Sequence, residues 1–472
     1  MGQEITSSHF GAADFAEFKA RLRTETRLLE QWFREGAFQQ GPPMGGFELE
    51  CCLLDAQGEP APVNQACLQR MHDPLVVPEL ATFNLEINST PRPLRGRVFS
   101  RMAEQLAALW GRCNREAGGL GARLGMIGIL PTLRPDHLTL ANMSPLNRYR
   151  ALNEQVFRLR EGQAVELDID GRSPLQLHHQ DVMLESAATS FQIHLQVDAR
   201  QAARAYNLSK MLSGPMVAIS ANSPFLFGHE LWEETRIPLF EQSISVGASD
   251  LTKRVSFGVR YVHESMMENF TANLLRYPVL LPRLMDEPVE RLAHLRLHNG
   301  TIWRWNRPLI GFDRDATPHL RIEHRVVPAG PSVSDCIANA ALYFGMLSGL
   351  AAQEQAPESR LGFVLARNNF YSAARFGLDA EFSWFGGRRI GADALLGETL
   401  LPLARQGLAR LGVERDEIEQ WLGIIAGRLA TRHTGARWQR AWVQRHGADM
   451  QGLTQAYLEH QQSGLPVHEW GL

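Results

Sequence analysis

Polar and apolar residues alternate at period two in four separated stretches of the chain: Glu48-Leu49-Glu50, Asn84-Leu85-Glu86-Ile87-Asn88, Gln192-Ile193-His194-Leu195-Gln196 and Arg321-Ile322-Glu323-His324-Arg325. This is the rhythm of a strand, and it puts each polar set on one face. Elsewhere the period lengthens. Phe15, Phe18, Leu22, Leu29 and Trp32 form one stripe, predicting an amphipathic helix over 12–35 that ends near Gly36. Helices are also predicted at about 97–117, 200–220, 334–353, 395–411, 415–431 and 434–462. Strands are predicted at 46–54, 82–88, 189–198, 297–305 and 318–327, the late pair as a hairpin around 313–318, with the apolar run 124–130 as a buried strand. Gly162–Arg172 is acidic and turn-rich and predicts a surface loop, and 230–265 predicts loop with short strands. Strands scattered among helices without regular βαβ alternation predict an α+β fold with a mainly antiparallel sheet. No internal repeat or low-complexity tract interrupts it.

If the four polar faces meet, they form a trough holding Glu48, Glu50, Glu86 and Glu323. Like charges about 4 Å apart repel by roughly 4 kcal/mol per pair at a surface-like dielectric, so several pairs rival the ~5–15 kcal/mol stability of a domain. Such a trough needs cations. Carboxylate oxygens suit Mg2+, Mn2+ or Ca2+, and Mg2+ is the one commonly shared with nucleotide phosphates. The pattern therefore points to a site for ATP and metal.

Context favours this over a solvent-facing strand or a cross-strand ion-pair ladder. Gly45-Gly46 permits close backbone approach before Glu48, and Cys51-Cys52-Leu53-Leu54 is too apolar for an exposed edge. His194 sits between Gln192 and Gln196 on one face, as in a polar cleft rather than a core. Arg321 and Arg325 flank Glu323, so a cation held by the carboxylate would lie beside two guanidinium forks able to meet phosphate or carboxylate. Other motifs carry less. Trp303-Arg304-Trp305-Asn306-Arg307 interleaves aromatic and basic residues but is one short segment, which fits packing better than nucleic-acid binding. Gly118-Gly119-Leu120-Gly121 lacks the Lys-Ser/Thr of a phosphate loop, and the common hydrolase signatures are missing.

Composition adds bounds. With 472 residues, 44% hydrophobic and 21% charged, the chain can bury a large core, and a net charge of -3 gives no global pull toward nucleic acid or an anionic membrane. Five cysteines without a Cys-x-x-Cys pair argue for free thiols and a reducing compartment. No apolar run suggests a leader or a membrane span, so a cytoplasmic protein is expected. Met1–Thr6 matches a myristoylation pattern, but no basic cluster follows it.

The order of motifs resembles the glutamate–cysteine ligases, in the branch of the plant enzymes and bacterial carboxylate–amine ligases. Gly46-Phe47-Glu48-Leu49-Glu50 is similar to the family's opening Gly-x-Glu-x-Glu strand, and Phe83–Asn88 to its second acidic strand. Thr189–Val197 resembles the central strand, and Ala221-Asn222-Ser223-Pro224-Phe225 the loop that follows it. Arg321–Arg325 resembles the late Glu-x-Arg strand, and Asn369 through Arg375-Phe376-Gly377-Leu378-Asp379 the Asn…Ala-Arg-Tyr-Gly-Leu-Asp segment of the bacterial branch.

The likeness spans about 44–380 and implies a fold like that of glutamine synthetase: a curved, mainly antiparallel sheet forming an open funnel with helices packed behind it. The organisation expected along the chain is an N-terminal helix over 1–40, an ATP-dependent ligase catalytic domain over 41–380 and a helical part, 381–472, packed on the same domain. ATP with Mg2+, or Mn2+, would phosphorylate the γ-carboxylate of glutamate, and an amine, cysteine in the glutathione pathway, would attack the acyl phosphate. Glu48, Glu50, Glu86, Glu323 and His194 would hold metal. Arg325, with Arg321, would act on the phosphate, Arg236 would grip the acceptor's α-carboxylate with two bonds, and Gln192, Asn222 and Arg375 would bind substrate. Gln196 stands where some relatives have a histidine or an acid, which touches a third metal position. The partners implied are small amino-acid substrates, not nucleic acid or membrane; the oligomeric state is left open. A ligase for another amine, a phosphotransferase on the same fold and a catalytically silent nucleotide- or amino-acid-binding homologue are the alternatives.

Overall fold

The computed structural model describes residues 10–246 and 252–472; the Met1–Thr6 pattern and part of the 230–265 stretch lie outside them. Six strands make the main path of one sheet: β1 (Met44–Leu54), β2 (Val76–Pro78), β3 (Asn84–Asn88), β4 (Phe191–Val197), β5 (Asn306–Phe312) and β6 (Pro318–His324). Their order is β5-β6-β4-β1-β3-β2, every neighbouring pair antiparallel, and Arg92–Pro93 and Arg123–Gly125 add short pairings to β1. The sheet curls into a half-barrel. The four strands of alternating pattern are thus its four central ones, as the antiparallel expectation requires.

Register decides what shares a face. Glu50 stands opposite Glu86, Glu48 opposite Gln192 and Asn88, and Glu323 opposite His194. The intervening Leu49, Ile87, Ile193, Leu320 and Ile322 are buried on the other face. Behind them lie two long apolar helices, Ala202–Ser220 and Val333–Ala351. Tyr206 donates to the carbonyl of Asn306 at 3.1 Å, Asn306 donates to Ser213 at 2.9 Å, and His324 stacks on Tyr343 at 4.3 Å. Gly45 is required where β1 crosses the second helix: a Cβ there would lie 2.5 Å from Leu94 Cδ2 and 2.9 Å from Phe344 Cζ. The helix Val333–Ala351 is the one described helix long and apolar enough to cross a membrane, and 83% of its apolar window is buried inside the fold.

The C-terminal helices Gly435–His446 and Met450–Ser463 pack against the loops at Met126, Asn222 and Pro331. Gln461 donates to the carbonyls of Met126 and Pro331, and Gln439 to Asn222 Oδ1. Hydrophobic residues from Phe18 to Trp470 belong to one continuous core.

Several local expectations are corrected. The run 124–130 forms strand only at Arg123–Gly125 and continues as buried irregular chain, its backbone bonded by side chains such as Gln461. Gly162–Arg172 contains strand Val165–Ile169, paired with Leu175–His179: alternating Val165, Leu167 and Ile169 are buried while Glu166 and Asp168 face water. Residues 297–305 are not strand, because helix Ala293–Gly300 buries Leu295 and Asn299, four residues apart, on one face. Within 230–265 the helix Arg236–Ser243 replaces loop, and 434–462 is broken into two helices near Gly447.

Candidate active site

The concave face of the sheet gathers two carboxylate clusters. Glu48, His194 and Glu323 bring one ligand atom each within 4.8 Å of one another, and so do Glu50, Glu79 and Glu86. Four strands build them: β1 supplies Glu48 and Glu50, β3 Glu86, β4 His194 and β6 Glu323. Gly46, opposite His194, keeps this face open, since a Cβ there would stop 3.1 Å from Ser89 Oγ.

The first cluster is supplied with cations. Arg307 holds Glu323 with two bonds, at 2.5 and 3.0 Å, and Arg325 Nη1 donates to the same carboxylate. Burial would raise Glu323, but Arg307 and Arg325 outweigh it and bring it down to about 2. Glu48 has His194 Nε2 at 3.4 Å. Against the same burial, His194 and Arg321 hold Glu48 well below the usual carboxylate range.

The second cluster has a different environment. Glu50 accepts from Gln192 Nε2 and the Ser190 N–H, each at 2.7 Å, and Glu86 from Asn88 Nδ2 at 2.8 Å. These donors are neutral amides. Burial pushes Glu50 up to about 7, with Glu79 adding to the rise and Arg325 offsetting part of it. Burial, then Glu48 and Glu79, push Glu86 well above its ordinary value, and burial raises Glu79 despite Arg148. Glu86 Oε2 is buried without a hydrogen-bond partner, as is His194 Nε2 in the first cluster.

A cleft opens from the second cluster, lined among others by Glu50, Glu79, Glu185, Ser190, Arg236 and Arg325. Burial and the neighbouring Glu79 raise Glu185 to about 8 despite Arg325. Toward the other end of the trough the charge reverses. Arg321, opposite Gln196, and Arg307 share that end with His319 and Arg296, whose pKa values are lowered by burial and by Arg321.

Each residue singled out in the sequence can now be placed. Glu48, Glu50, Glu86, Glu323, His194, Arg321 and Arg325 share the trough. Gln192 is a strut within it: its amide donates to Glu50, and its oxygen accepts from Arg325 at 2.7 Å. Arg236 lines the cleft, but its Nε is bound to Glu234 at 2.9 Å and its Nη2 to the Val326 carbonyl at 2.6 Å. That leaves Nη1, not a two-pronged fork, for a ligand. Asn222 is not in the cleft. It is fully buried, giving its amide protons to the Ala329 carbonyl and Tyr457 Oη, both at 2.8 Å, and accepting from Gln439 at 2.9 Å. Arg375 is also outside, half-exposed and ion-paired with Asp170. Sequence patterning missed Glu79, Glu185 and Arg307. Only Arg307 left a signal, because the hairpin register sets it opposite Glu323.

The donor sets fit metal. Three carboxylates with oxygens converging, one oxygen buried and unpartnered, are what a hard divalent cation takes, and the mixed set of Glu48, His194 and Glu323 extends that to Mn2+.

The fold recurs among solved structures. A glutamate–cysteine ligase from Francisella tularensis, in complex with AMP, aligns with a TM-score of 0.56 at 10% identity, covering 90% of each chain. A bifunctional glutathione synthetase from Pasteurella multocida aligns with a TM-score of 0.53 at 12% identity, covering 92% of this chain and 54% of that one. No curated protein sequence matches. The model of glutamate–cysteine ligase family 2 matches residues 44–459, from the first strand of the trough to the last long helix. The chain belongs to glutamate–cysteine ligase family 2, and with it to the carboxylate–amine ligases.

Proposed function

We propose that the protein is an ATP- and Mg2+-dependent ligase that activates the γ-carboxylate of glutamate as an acyl phosphate and passes it to an amine, cysteine being the first acceptor assigned. The observation that carries this is the pairing of two carboxylate clusters on one face, with arginines at both ends of the trough. Mg2+, or Mn2+, held by Glu50, Glu79 and Glu86 and by Glu48, His194 and Glu323 would neutralise the charge of the transferring phosphoryl group.

The chain's own residues supply the rest. Arg325 bridges the clusters, bonded to Glu323 and Gln192 and facing Glu50, so its guanidinium is fixed where negative charge develops during phosphoryl transfer. Arg321, Arg307 and Arg296 make the opposite end suited to a triphosphate tail. Arg236 lines the cleft with Nε and Nη2 bonded within the chain, so Nη1 would be its donor for an amino-acid carboxylate, and Phe240 lines the wall with it. Glu185, raised to about 8, would give up its proton when the ammonium of the same substrate class arrives beside it. Cysteine as acceptor rests on family membership alone. Five free, buried thiols suit a reducing, cytoplasmic setting.

The test is an assay of ADP release with ATP, Mg2+ and glutamate across a panel of amines, with hydroxylamine trapping the activated carboxylate. Glutamate-dependent hydroxamate is the expected result, and the best amine names the acceptor. ADP formed with no amide or hydroxamate means a phosphotransferase. ATP binding with no turnover on any amine means a silent homologue.

A further inference from the structure

A second cavity lies behind the sheet, between the helix Ala202–Ser220, the segment 256–262 and the helix Met267–Arg276. Its inner wall holds Lys210 and Arg304, only 1% and 6% exposed. Lys210 Nζ makes one hydrogen bond, to the Phe257 carbonyl at 2.6 Å. It otherwise faces the rings of Tyr206, Phe257 and Phe363, 4.9–5.7 Å away. Arg304 donates to the amide oxygens of Asn269 and Asn273, at 2.9 and 2.8 Å. Neither pairs with a carboxylate among the described residues.

The acid that could compensate them is engaged elsewhere. Glu268 lines the same cavity, but it is ion-paired with Arg260 at 2.6 Å and accepts the backbone N–H groups of His263 and Glu264, each at 2.8 Å. Arg276 adds a further cation to the lining. Gly258 keeps the ammonium accessible, since a Cβ there would lie 2.9 Å from Lys210 Nζ. Buried cations are ordinarily paired, and leaving two side by side costs more than an ion pair or a bound counter-charge would. Burial and the nearby Arg304 both lower the pKa of Lys210, as expected for a cation short of a partner.

We infer that this cavity is a binding site for a compact oxyanion, a phosphate or a small carboxylate, received between Lys210 and Arg304. It is separate from the funnel cleft. The two share no lining residue, and Trp305 touches both linings: its backbone N–H donates to the Ser256 carbonyl at 3.1 Å, and its ring packs edge-on against Phe240 at 5.7 Å and lies 5.3 Å from the Arg236 guanidinium. Nothing in the inference depends on the ligase reaction.

The test is calorimetric titration of the full-length chain with inorganic phosphate and with malonate, each against sodium chloride at matched ionic strength. Saturable binding is expected, weakened at least tenfold in Lys210→Met, which keeps the shape of the side chain among its three rings. Arg304→Gln, which can still bond Asn269 or Asn273, is expected to weaken it by a similar factor and covers failure of the first variant to fold. Arg321→Gln separates this site from the funnel and should leave the affinity within twofold. Binding of phosphate alone, malonate alone or both assigns the anion class. Binding no stronger than in chloride, or equal affinity in folded Lys210→Met and wild type, overturns the inference.

Discussion

The two carboxylate clusters lie in one sheet, two residues apart along β1, yet their surroundings differ in kind. Around Glu323 and Glu48 the chain supplies its own positive charge, from Arg307, Arg325 and Arg321, with His194 Nε2 3.4 Å from Glu48, and both carboxylates are held below their ordinary range. Around Glu50, Glu79 and Glu86 the bonds to Glu50 and Glu86 come from amides, and all three carboxyls are raised. A cluster whose charge is balanced internally is finished on folding. One that is not depends on protons or on a cation from solution. The difference locates the demand for metal more narrowly than a count of acids does, because it falls first on the second cluster.

The strongest way to break this comparison is Glu323→Gln. It leaves Arg307 and Arg325 buried beside a neutral amide, where removing one partner of a buried pair typically costs about 3–5 kcal/mol. Turnover in the ADP-release assay should fall at least about a hundredfold, because the variant loses a metal-cluster carboxylate and the anchor of Arg325 together. A change within a few-fold removes Glu323 from the site.

Acidity separates the clusters next. For Glu50, raised to about 7, the folded chain holds a proton that the unfolded chain releases near 4.5, so its contribution is full below about 4.5 and lost as pH rises through 7. Glu323, at about 2, has the opposite sign: its contribution is present above about 4.5 and lost as pH falls toward 2. With chelator present, the melting temperature should therefore fall between pH 5 and 8, the loss from Glu50 alone being on the order of 2–3 kcal/mol. Millimolar Mg2+ should flatten that limb and leave the acid limb unchanged. Equal slopes with and without metal contradict the assignment.

Glu86→Gln is a smaller change with an unusual direction. It removes one charge from a cluster that lacks compensation, so the metal-free protein should gain about 1 kcal/mol at pH 8, while stabilisation by Mg2+ disappears. Chemical denaturation in chelator measures the first effect, and the same titration in Mg2+ the second. A destabilised metal-free variant would mean that Glu86 is paired more fully than its amide bond to Asn88 indicates.

The trough could be read from sequence because its four strands keep strict period-two alternation, and polar residues on one side with Leu49, Ile87, Ile193 and Ile322 on the other leave little choice of facing. Glu79 could not. It follows the three-residue strand Val76–Pro78, outside any periodic run, and reaches the cluster only through the chain turning back to β3. Glu185 sits in the short helical turn Val182–Ala187 and enters the cleft by the same kind of tertiary accident. Apolarity misled at 124–130, where buried irregular chain is as apolar as a strand. Motif likeness also has a limit, because it reports which residue stands at a position but not what it touches. Asn222 matches the family loop and is a fully bonded hub joining the Ala329 loop to the C-terminal helices.

Arg375 gives the smallest predicted effect and isolates that limit. The sequence likeness assigns it to substrate, yet its guanidinium lies at the surface against Asp170, with the rings of Trp232 and Phe376 5.6 Å away. Exposed ion pairs contribute about 0–1 kcal/mol, and salt screens them. Arg375→Ala should therefore cost less than about 1 kcal/mol in chemical denaturation and leave kcat/KM for glutamate within threefold, while Arg236→Ala, in the cleft, raises KM for an amino-acid substrate by tenfold or more. The pair of variants tests position rather than motif. If Arg375→Ala raised KM as strongly as Arg236→Ala, the helix Phe363–Phe376 would have to swing its last turn toward the cleft during turnover, and the Asp170 ion pair would be the contact broken to allow it.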